Sequence, residues 1–409
     1  MKRRQFIQSA LSASLLAGLP VTLVRSASAS GQPGNRLIVL LLRGGIDGLN
    51  VVVPYTEADY HAGRPTIGLA APAADGVRDL DGRFGLHPAL SGLMPLWQKK
   101  QLAFVHACGS PDPTRSHFDA QDYMESGAPG NKSVTDGWMN RLMARLPEPD
   151  NPIKAVSVGV TLPRILQGAS PVATVGLTPA SAKPTSIDLP GVLESFAGLY
   201  AEDVALKKAY DEGVASHRRV KADLDQEMLA ADKDAVAPAG FAGQAHELGR
   251  LIDTDSQIRL AFLSVGGWDT HVNQGAETGQ LANKLTALGE GLVQLTEGLK
   301  ASYARTVIIL LSEFGRTARE NGNGGTDHGQ GNVAWLLGGP VNGGRVWGQW
   351  PGLAPGQLNE GRDLAVTTDF RTVVSAVLQQ HLGLAPAALK PIFPGFEPGS
   401  SLPRLIRPA

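Results

Sequence analysis

Apolar and polar positions repeat along this chain in two distinct rhythms. Residues 37–42, 260–265 and 306–311 are short apolar runs bounded by glycine, the pattern of strands buried on both faces in parallel sheets packed between helices. Residues 102–106, 153–160, 172–177 and 333–337 predict further strands. Leucines at 281, 285, 288, 292, 295 and 299 fall three and four apart and mark one buried helix face. Lying between two strong runs, that helix predicts a strand–helix–strand unit with a parallel pair. Helices are also expected over 90–99 and 369–382. The chain reads as an α/β fold with a mostly parallel central sheet flanked by helices.

Residues 187–251 break this rhythm with long helical stretches rich in Lys, Asp and Glu, which reads as a helical insertion. A cap beside a site and a solvated helical pair both fit it. At the other end, Arg3 and Arg4 precede an apolar stretch over 10–24, and Ala27-Ser28-Ala29 supplies a small-residue cleavage site. This resembles a twin-arginine (Tat) signal, so the export machinery is an expected partner and the periplasm or exterior the expected location. The stretch falls short of the roughly 18 to 20 apolar residues that span a bilayer, and no later segment is longer. Residues 30–409 are then expected to form a single domain.

Residues 1–29 hold Lys2, Arg3, Arg4 and Arg25 and no acid, so their removal takes the formal net charge from −1 to −5. A mildly acidic chain without a basic run excludes nucleic acid as a partner. The one cysteine, Cys108, excludes an intramolecular disulfide.

The strong strands end in groups that bind cations. Asp47 follows the first run, Asp269 and His271 follow the second, and Glu313, then Asp327 and His328, follow the third. Ligands of open α/β sheets bind at the carboxyl ends of strands, so these groups predict a divalent-metal site, with zinc or manganese favoured and calcium as an alternative. Asp269 and His271, two apart in extended chain, point to the same side and can reach one ion. The glycines around Asp327 and His328 permit His328 to bind the metal while its neighbour supports from behind. Asp47 and Glu313 need a cation or hydrogen-bond donors if buried, and Arg43 and Arg316 are alternative partners for them. The loop 108–119 brings Thr114, Arg115, Ser116 and His117. Ser116 or Thr114 beside a metal could attack phosphorus or sulfur, with Arg115 as anion clamp; either could instead cap a helix running through Met124.

Together these segments carry a resemblance. Leu40-Leu41-Leu42-Arg43-Gly44-Gly45-Ile46-Asp47-Gly48-Leu49-Asn50, Ser116-His117-Phe118-Asp119-Ala120-Gln121-Asp122, Gly266-Gly267-Trp268-Asp269-Thr270-His271, Ser312-Glu313-Phe314-Gly315-Arg316-Thr317 and Gly325-Thr326-Asp327-His328-Gly329 resemble the Tat-exported family known as domain of unknown function 1501. That family looks like a distant branch of the alkaline phosphatase and sulfatase superfamily, which implies a site of one or two metals. The resemblance puts Asp47 at the first metal-binding Asp, Ser116 or Thr114 near the nucleophile, Asp269 and His271 on one metal, Glu313 at a strand-end Asp, and His328 at the last metal histidine. Phe314 stands where that superfamily has a histidine, and the Asp269–His271 gap is one residue instead of three. Both departures leave fewer ligands for a two-metal site, and the sulfatase signature is absent.

The expected activity is a metal-dependent hydrolase or transferase acting on a phosphate or sulfate ester, either a small anionic ester or an envelope glycan. The alternative is an exported binding protein for a polysaccharide, envelope component or partner protein, with Trp268, Trp335, Trp347 and Trp350 as a stacking surface.

Overall fold

The structure is a computed structural model that describes residues 34–147, 151–159, 161–175, 232, 235–399 and 403–408. Residues 1–29 and 187–230, the expected signal and most of the expected insertion, lie outside the described residues. Chain order gives strands β1 (Arg36–Leu42), β2 (Val52–Val53), β3 (Arg78–Asp79), β4 (Gly85–Leu86), β5 (Leu102–Gly109), β6 (Ala155–Val158), β7 (Ala173–Val175), β8 (Leu260–Val265), β9 (Thr306–Ser312), β10 (Asn332–Gly338), β11 (Arg345–Trp347) and β12 (Thr368–Asp369). Four long helices are α1 (His117–Ser126), α2 (Pro238–Thr254), α3 (Gln280–Leu299) and α4 (Phe370–Gln380).

The main sheet runs β11-β5-β10-β9-β1-β8-β6-β7, with β12 added beside β5, while β2, β4 and β3 form a small second sheet. All pairings in the main sheet are parallel except those of β10, which is antiparallel to both β5 and β9. The expected α/β class with a mostly parallel, helix-flanked sheet is the architecture observed. One detail differs: β8 and β9 are parallel but not paired, because β1 inserts between them and pairs with both. The crossover helix fixes the relative direction of two strands, whereas their spacing is set by which third strand fills the gap.

The apolar runs are unbroken because both faces of each strand are covered. Leu37, Val39 and Leu41 of β1 join one core, with Trp138, Phe370, Val374 and Val377 of the helices on that side. Ile38, Leu40 and Leu42 join the other, with Phe241 and Leu248 of α2 and the six predicted leucines of α3. Each such side chain contributes about 1.5 to 3 kcal/mol by leaving water. Residues 238–251, read from sequence as the end of the insertion, belong to α2, whose Phe241, Ala245, Leu248 and Ile252 are buried. That stretch is part of the helical layer over the sheet.

Candidate metal centre

Because β10 is the single reversed strand, its start meets the carboxyl ends of β5, β9, β1 and β8 at one end of the sheet. β5 leads through a loop to α1, whose first residue is His117. β8 leads through Gly266 and Gly267 to Asp269 and His271. After β9 the chain doubles back antiparallel: Thr317 N donates to Asp327 O at 2.9 Å, Gly329 N to Gly315 O at 2.8 Å and Gly315 N to Gln330 O at 3.0 Å. That return places His328 beside Arg316. The glycine-rich loop is stitched to the strand-β8 turn by Thr326 N donating to Thr270 O, Gln274 N to Gly324 O and Asn321 Nδ2 to His271 O, at 2.8 to 3.1 Å.

His117, Asp269 and His328 bring ligand atoms to within 4.8 Å of one another. The Nε2 atoms of His117 and His328 stand 3.1 Å apart, and Asp269 Oδ2 lies 3.5 Å from His117 Nε2. His271 joins from the other side, its Nε2 3.0 Å from His328 Nε2 and 2.9 Å from Asp269 Oδ1. The outer side of the cluster reaches solvent, since the side chains of His271 and His328 are 17% and 11% exposed.

Each imidazole has its other nitrogen against an oxygen. His117 Nδ1 donates to Glu313 Oε1 at 2.8 Å, His328 Nδ1 to the Arg115 carbonyl at 2.8 Å, and His271 Nδ1 to Asp327 Oδ1 at 3.3 Å. A carbonyl can only accept, so His328 carries its proton on Nδ1 and presents a lone pair at Nε2; the two carboxylates favour the same tautomer in His117 and His271. Lone pairs facing one another at 3.0 to 3.1 Å repel unless a cation or a proton lies among them. Buried Asp269 Oδ2 has no hydrogen-bond partner, a costly state for a carboxylate oxygen. Among His117 Nε2, His328 Nε2 and Asp269 Oδ2, the separations of 3.1 and 3.5 Å lie near the ~3.3 Å expected between donors about 2.0 to 2.1 Å from a four-coordinate ion. The residues present therefore fit a metal ion.

The surrounding charges hold this arrangement. Burial alone would raise the Asp269 carboxyl, but the His117, His271 and His328 rings beside it and the charge of Arg316 lower it well below the usual range. Arg316 Nη2 donates to Asp269 Oδ1 at 2.5 Å and to the carbonyls of Gly44 and Trp268, while Nε donates to Gly45 O. Gly44, at φ +112°, lets the β1 turn approach this carboxylate: a Cβ there would lie 2.7 Å from Asp269 N. Burial likewise opposes ionisation of Glu313, yet His117 and Gln121 hold it down to about 2. Its Oε1 accepts from His117, from Gln121 Nε2 at 2.9 Å and from Gly44 N at 2.7 Å. Burial pushes His117 down, but the carboxylates of Asp269 and Glu313 on either side outweigh it and raise the ring to about 9, so without a metal a proton on Nε2 stands where the ion would bind.

The predicted residues separate into distinct places. Asp269, His271 and His328 converge, and Asp327 sits behind His271. Glu313 sits behind His117, its Oε1 holding three donors. Asp47 is engaged elsewhere: Arg64 donates to its Oδ2 at 2.6 Å and Oδ1 at 3.1 Å, and Gln274 Nε2 donates to Oδ2 at 2.7 Å. Neither arginine considered from sequence is its partner. Arg43 binds Gln121 and Glu125 instead, and Arg316 binds Asp269. Ser116 is exposed at the N-cap of α1 and makes no side-chain cap bond, and Thr114 Oγ1 accepts from Ser116 N at 3.3 Å. The Arg115 guanidinium is held by Glu360 and Asp363 at 2.7 and 3.1 Å, so what Arg115 offers the cluster is its carbonyl.

Sequence reasoning gave His117 too little weight beside Ser116, although it lies on the same post-strand loop; Arg64 and Gln274 carried no signal. Phe314, where the superfamily resemblance expects a histidine, packs its ring 4.7 Å from the centroids of both His117 and His328. An apolar wall thus stands where a second metal would need a ligand. Trp268 and Trp335 are fully buried, so the four tryptophans do not form one stacking surface; Trp347 and Trp350 are half-buried, one under the Arg345 guanidinium and the other against His106.

Glu313→Gln keeps the volume but removes the anionic acceptor behind His117, and a 10- to 100-fold weaker metal affinity is expected, of the order seen when such supporting groups are lost. Chelator competition measures it; unchanged affinity would make Glu313 a purely structural side chain.

An α/β sheet carrying three convergent imidazoles and a carboxylate at its strand ends defines a candidate single-metal protein. The chain belongs to the family described as "Protein of unknown function (DUF1501)", whose model matches residues 34–393. No curated protein matches it by sequence. Among solved structures it is similar to the C-terminal periplasmic domain of EcEptC from Escherichia coli in complex with zinc, at 10% identity over 76% of this chain and 74% of that one, with a TM-score of 0.35. It is also similar to the PsFucS1 sulfatase from Pseudoalteromonas sp., at 12% identity over 85% and 67%, TM-score 0.38. A Vibrio parahaemolyticus protein in the alkaline phosphatase superfamily matches at 9% identity over 77% and 62%, TM-score 0.39. Among the described residues no helix is long and apolar enough to cross a membrane.

Proposed function

We propose that this protein is an exported hydrolase or transferase that uses one divalent metal to act on a phosphate or sulfate ester. The observation that carries this reading is the cluster of His117, Asp269 and His328 at the solvent-reaching end of the sheet, whose ligand atoms lie within 4.8 Å of one another, with Asp269 Oδ2 buried and unbonded and His271 Nε2 3.0 Å from His328 Nε2. His117, His271 and His328 would hold the ion through Nε2 and Asp269 through Oδ2. Three nitrogens and one carboxylate suit zinc first and manganese second, and calcium, which takes six to eight oxygens, is expected to bind weakly.

A bound zinc ion supplies Lewis acidity toward a phosphoryl or sulfuryl oxygen. The chain's residues do the remaining work. Glu313, Asp327 and the Arg115 carbonyl keep the Nδ1 protons in place, so every imidazole faces the centre with its lone pair. Arg316 fixes the Asp269 plane, and the Phe314 ring excludes water from the inner side. Ser116, next to His117 and exposed, is the proposed nucleophile, with Thr114 as the neighbouring hydroxyl.

The test compares zinc-loaded wild type with Ser116→Ala on p-nitrophenyl phosphate and p-nitrophenyl sulfate. The expected result is turnover of one ester, a kcat loss of at least about 100-fold in the variant and unchanged metal content. Turnover retained in Ser116→Ala would remove the serine from the reaction. No turnover of either ester by metal-loaded wild type would remove the reading for aryl esters of both acids.

A further inference from the structure

A cleft of about 400 Å³ opens beside the metal centre along the same end of the sheet, lined by residues of β6, β8 and α1 and by the segment 161–167. β8 leads into the turn that carries Asp269 and His271, so the cleft is the next place along the strand ends. α1 links the two. Its i, i+4, i+8 stripe begins with His117 at the centre, continues with Gln121, which donates to Glu313, and ends with Glu125 in the cleft. The far wall is tied to the same helix, because Ile165 N donates to Glu125 Oε2 at 2.9 Å. The cleft is thus built in advance of any ligand, and its size falls within the roughly 300 to 1,000 Å³ of small-molecule sites.

Its lining is specific. Phe118, the neighbour of His117, is 78% exposed at the rim, and Leu162 is exposed on the segment opposite. Around them stand donors and acceptors of both signs: Arg164 paired with Asp122, Gln167, and Arg43. Arg43 is only 7% exposed, and its Nε is buried without a hydrogen-bond partner although both terminal nitrogens are bonded. The charged groups of the lining are paired with one another, Arg164 with Asp122 and Arg43 with Glu125, so a second anionic group would find no unpaired cation among them, and an alkyl chain would cover these polar groups without exchanging hydrogen bonds with them. A neutral ring with one apolar face and a fringe of hydroxyls satisfies both features, stacking on Phe118 while its hydroxyls exchange hydrogen bonds with the planar polar side chains.

We infer that this cleft is a glycosyl subsite, which seats a sugar ring attached to the ester group handled at the metal centre. The inference rests on the proposed function only for the ester; the sugar contact stands on the cleft.

Saturation-transfer NMR on the mature protein, zinc-supplemented and again after chelator treatment, tests it with methyl β-galactoside, N-acetylglucosamine and galactose 6-sulfate, and with phenyl phosphate and AMP as comparison ligands. Saturation of the sugar-ring protons is expected in both preparations, and Phe118→Ala, at an exposed position where folding is little affected, lowers it at least about 5-fold. Equal saturation in Phe118→Ala, no saturation of any sugar, or a Phe118-dependent signal from phenyl phosphate or AMP alone overturns the subsite. Sugar contact that depends on Phe118 in a protein found to hold no metal keeps the subsite and removes the ester chemistry. Ester turnover with no sugar contact does the reverse.

Discussion

Protein purified without chelator is expected to carry about one zinc ion per chain, held by a four-donor set, and His271→Ala and Asp269→Asn are expected to bind it at least about 100-fold more weakly, beyond the range for losing a supporting group. The two variants probe different parts of the argument. His271 is the most exposed of the three imidazoles, so its truncation removes a donor at little cost to folding. Asn at 269 can keep its oxygen toward Arg316 but loses the charge, and the second carboxylate oxygen becomes an NH2 donor. Metal bound only by the native state stabilises it by about 2.7 kcal/mol at a hundredfold excess over Kd. Zinc should therefore raise the unfolding temperature of wild type, a chelator should reverse the rise, and neither should affect Asp269→Asn. Elemental analysis and thermal unfolding read both. If wild type holds neither zinc nor manganese after exposure to them, the cluster is an ion-pair network with His117 as an imidazolium between Glu313 and Asp269, and the single-metal reading falls.

The second large effect is on stability. Arg64→Met should cost about 3 to 5 kcal/mol, because it leaves the Asp47 carboxylate buried without a countercharge. Both side chains are fully buried. Arg64 also donates to Asn50 Oδ1 at 2.7 Å, Thr317 O at 2.8 Å and Ala318 O at 2.9 Å, so three further acceptors lose a donor. Pairing the change with Asp47→Leu should recover part of the loss, since removing both charges is far less costly than removing one. Denaturation midpoints of the single and double variants give the comparison. A cost below about 1 kcal/mol for Arg64→Met would mean that Asp47 has another cation available, and it would restore Asp47 as a metal-facing carboxylate.

These two predictions concern carboxylates that look alike in the sequence, each lying just past a strong apolar strand. Asp269 faces three imidazoles; Asp47 faces a guanidinium. Nothing local separates them. Arg64 is only 17 positions from Asp47, and its guanidinium is bonded to the carbonyls of Thr317 and Ala318, far along the chain. His117 was equally hard to rank, since its partners Glu313 and His328 are 196 and 211 positions away. Sequence patterning did locate the strands β1, β8, β9 and β10 within a residue at each end and the buried face of α3, because burial on both faces of a sheet or one face of a helix imposes a period that local composition must obey.

The sequence by itself therefore determined the class of fold, the end of the sheet where acidic and imidazole groups gather, and three of the four side chains that cluster there, Asp269, His271 and His328. Only the tertiary structure decided which strand-end acids share a centre, that β1 separates β8 from β9, and that β10 runs backwards to deliver His328. The physical reason is that hydrophobic periodicity is a property of neighbouring residues, whereas a buried charge takes whichever partner the assembled strands place within about 3 Å, the reach of a charged hydrogen bond, and that partner is fixed by sheet order across the whole chain.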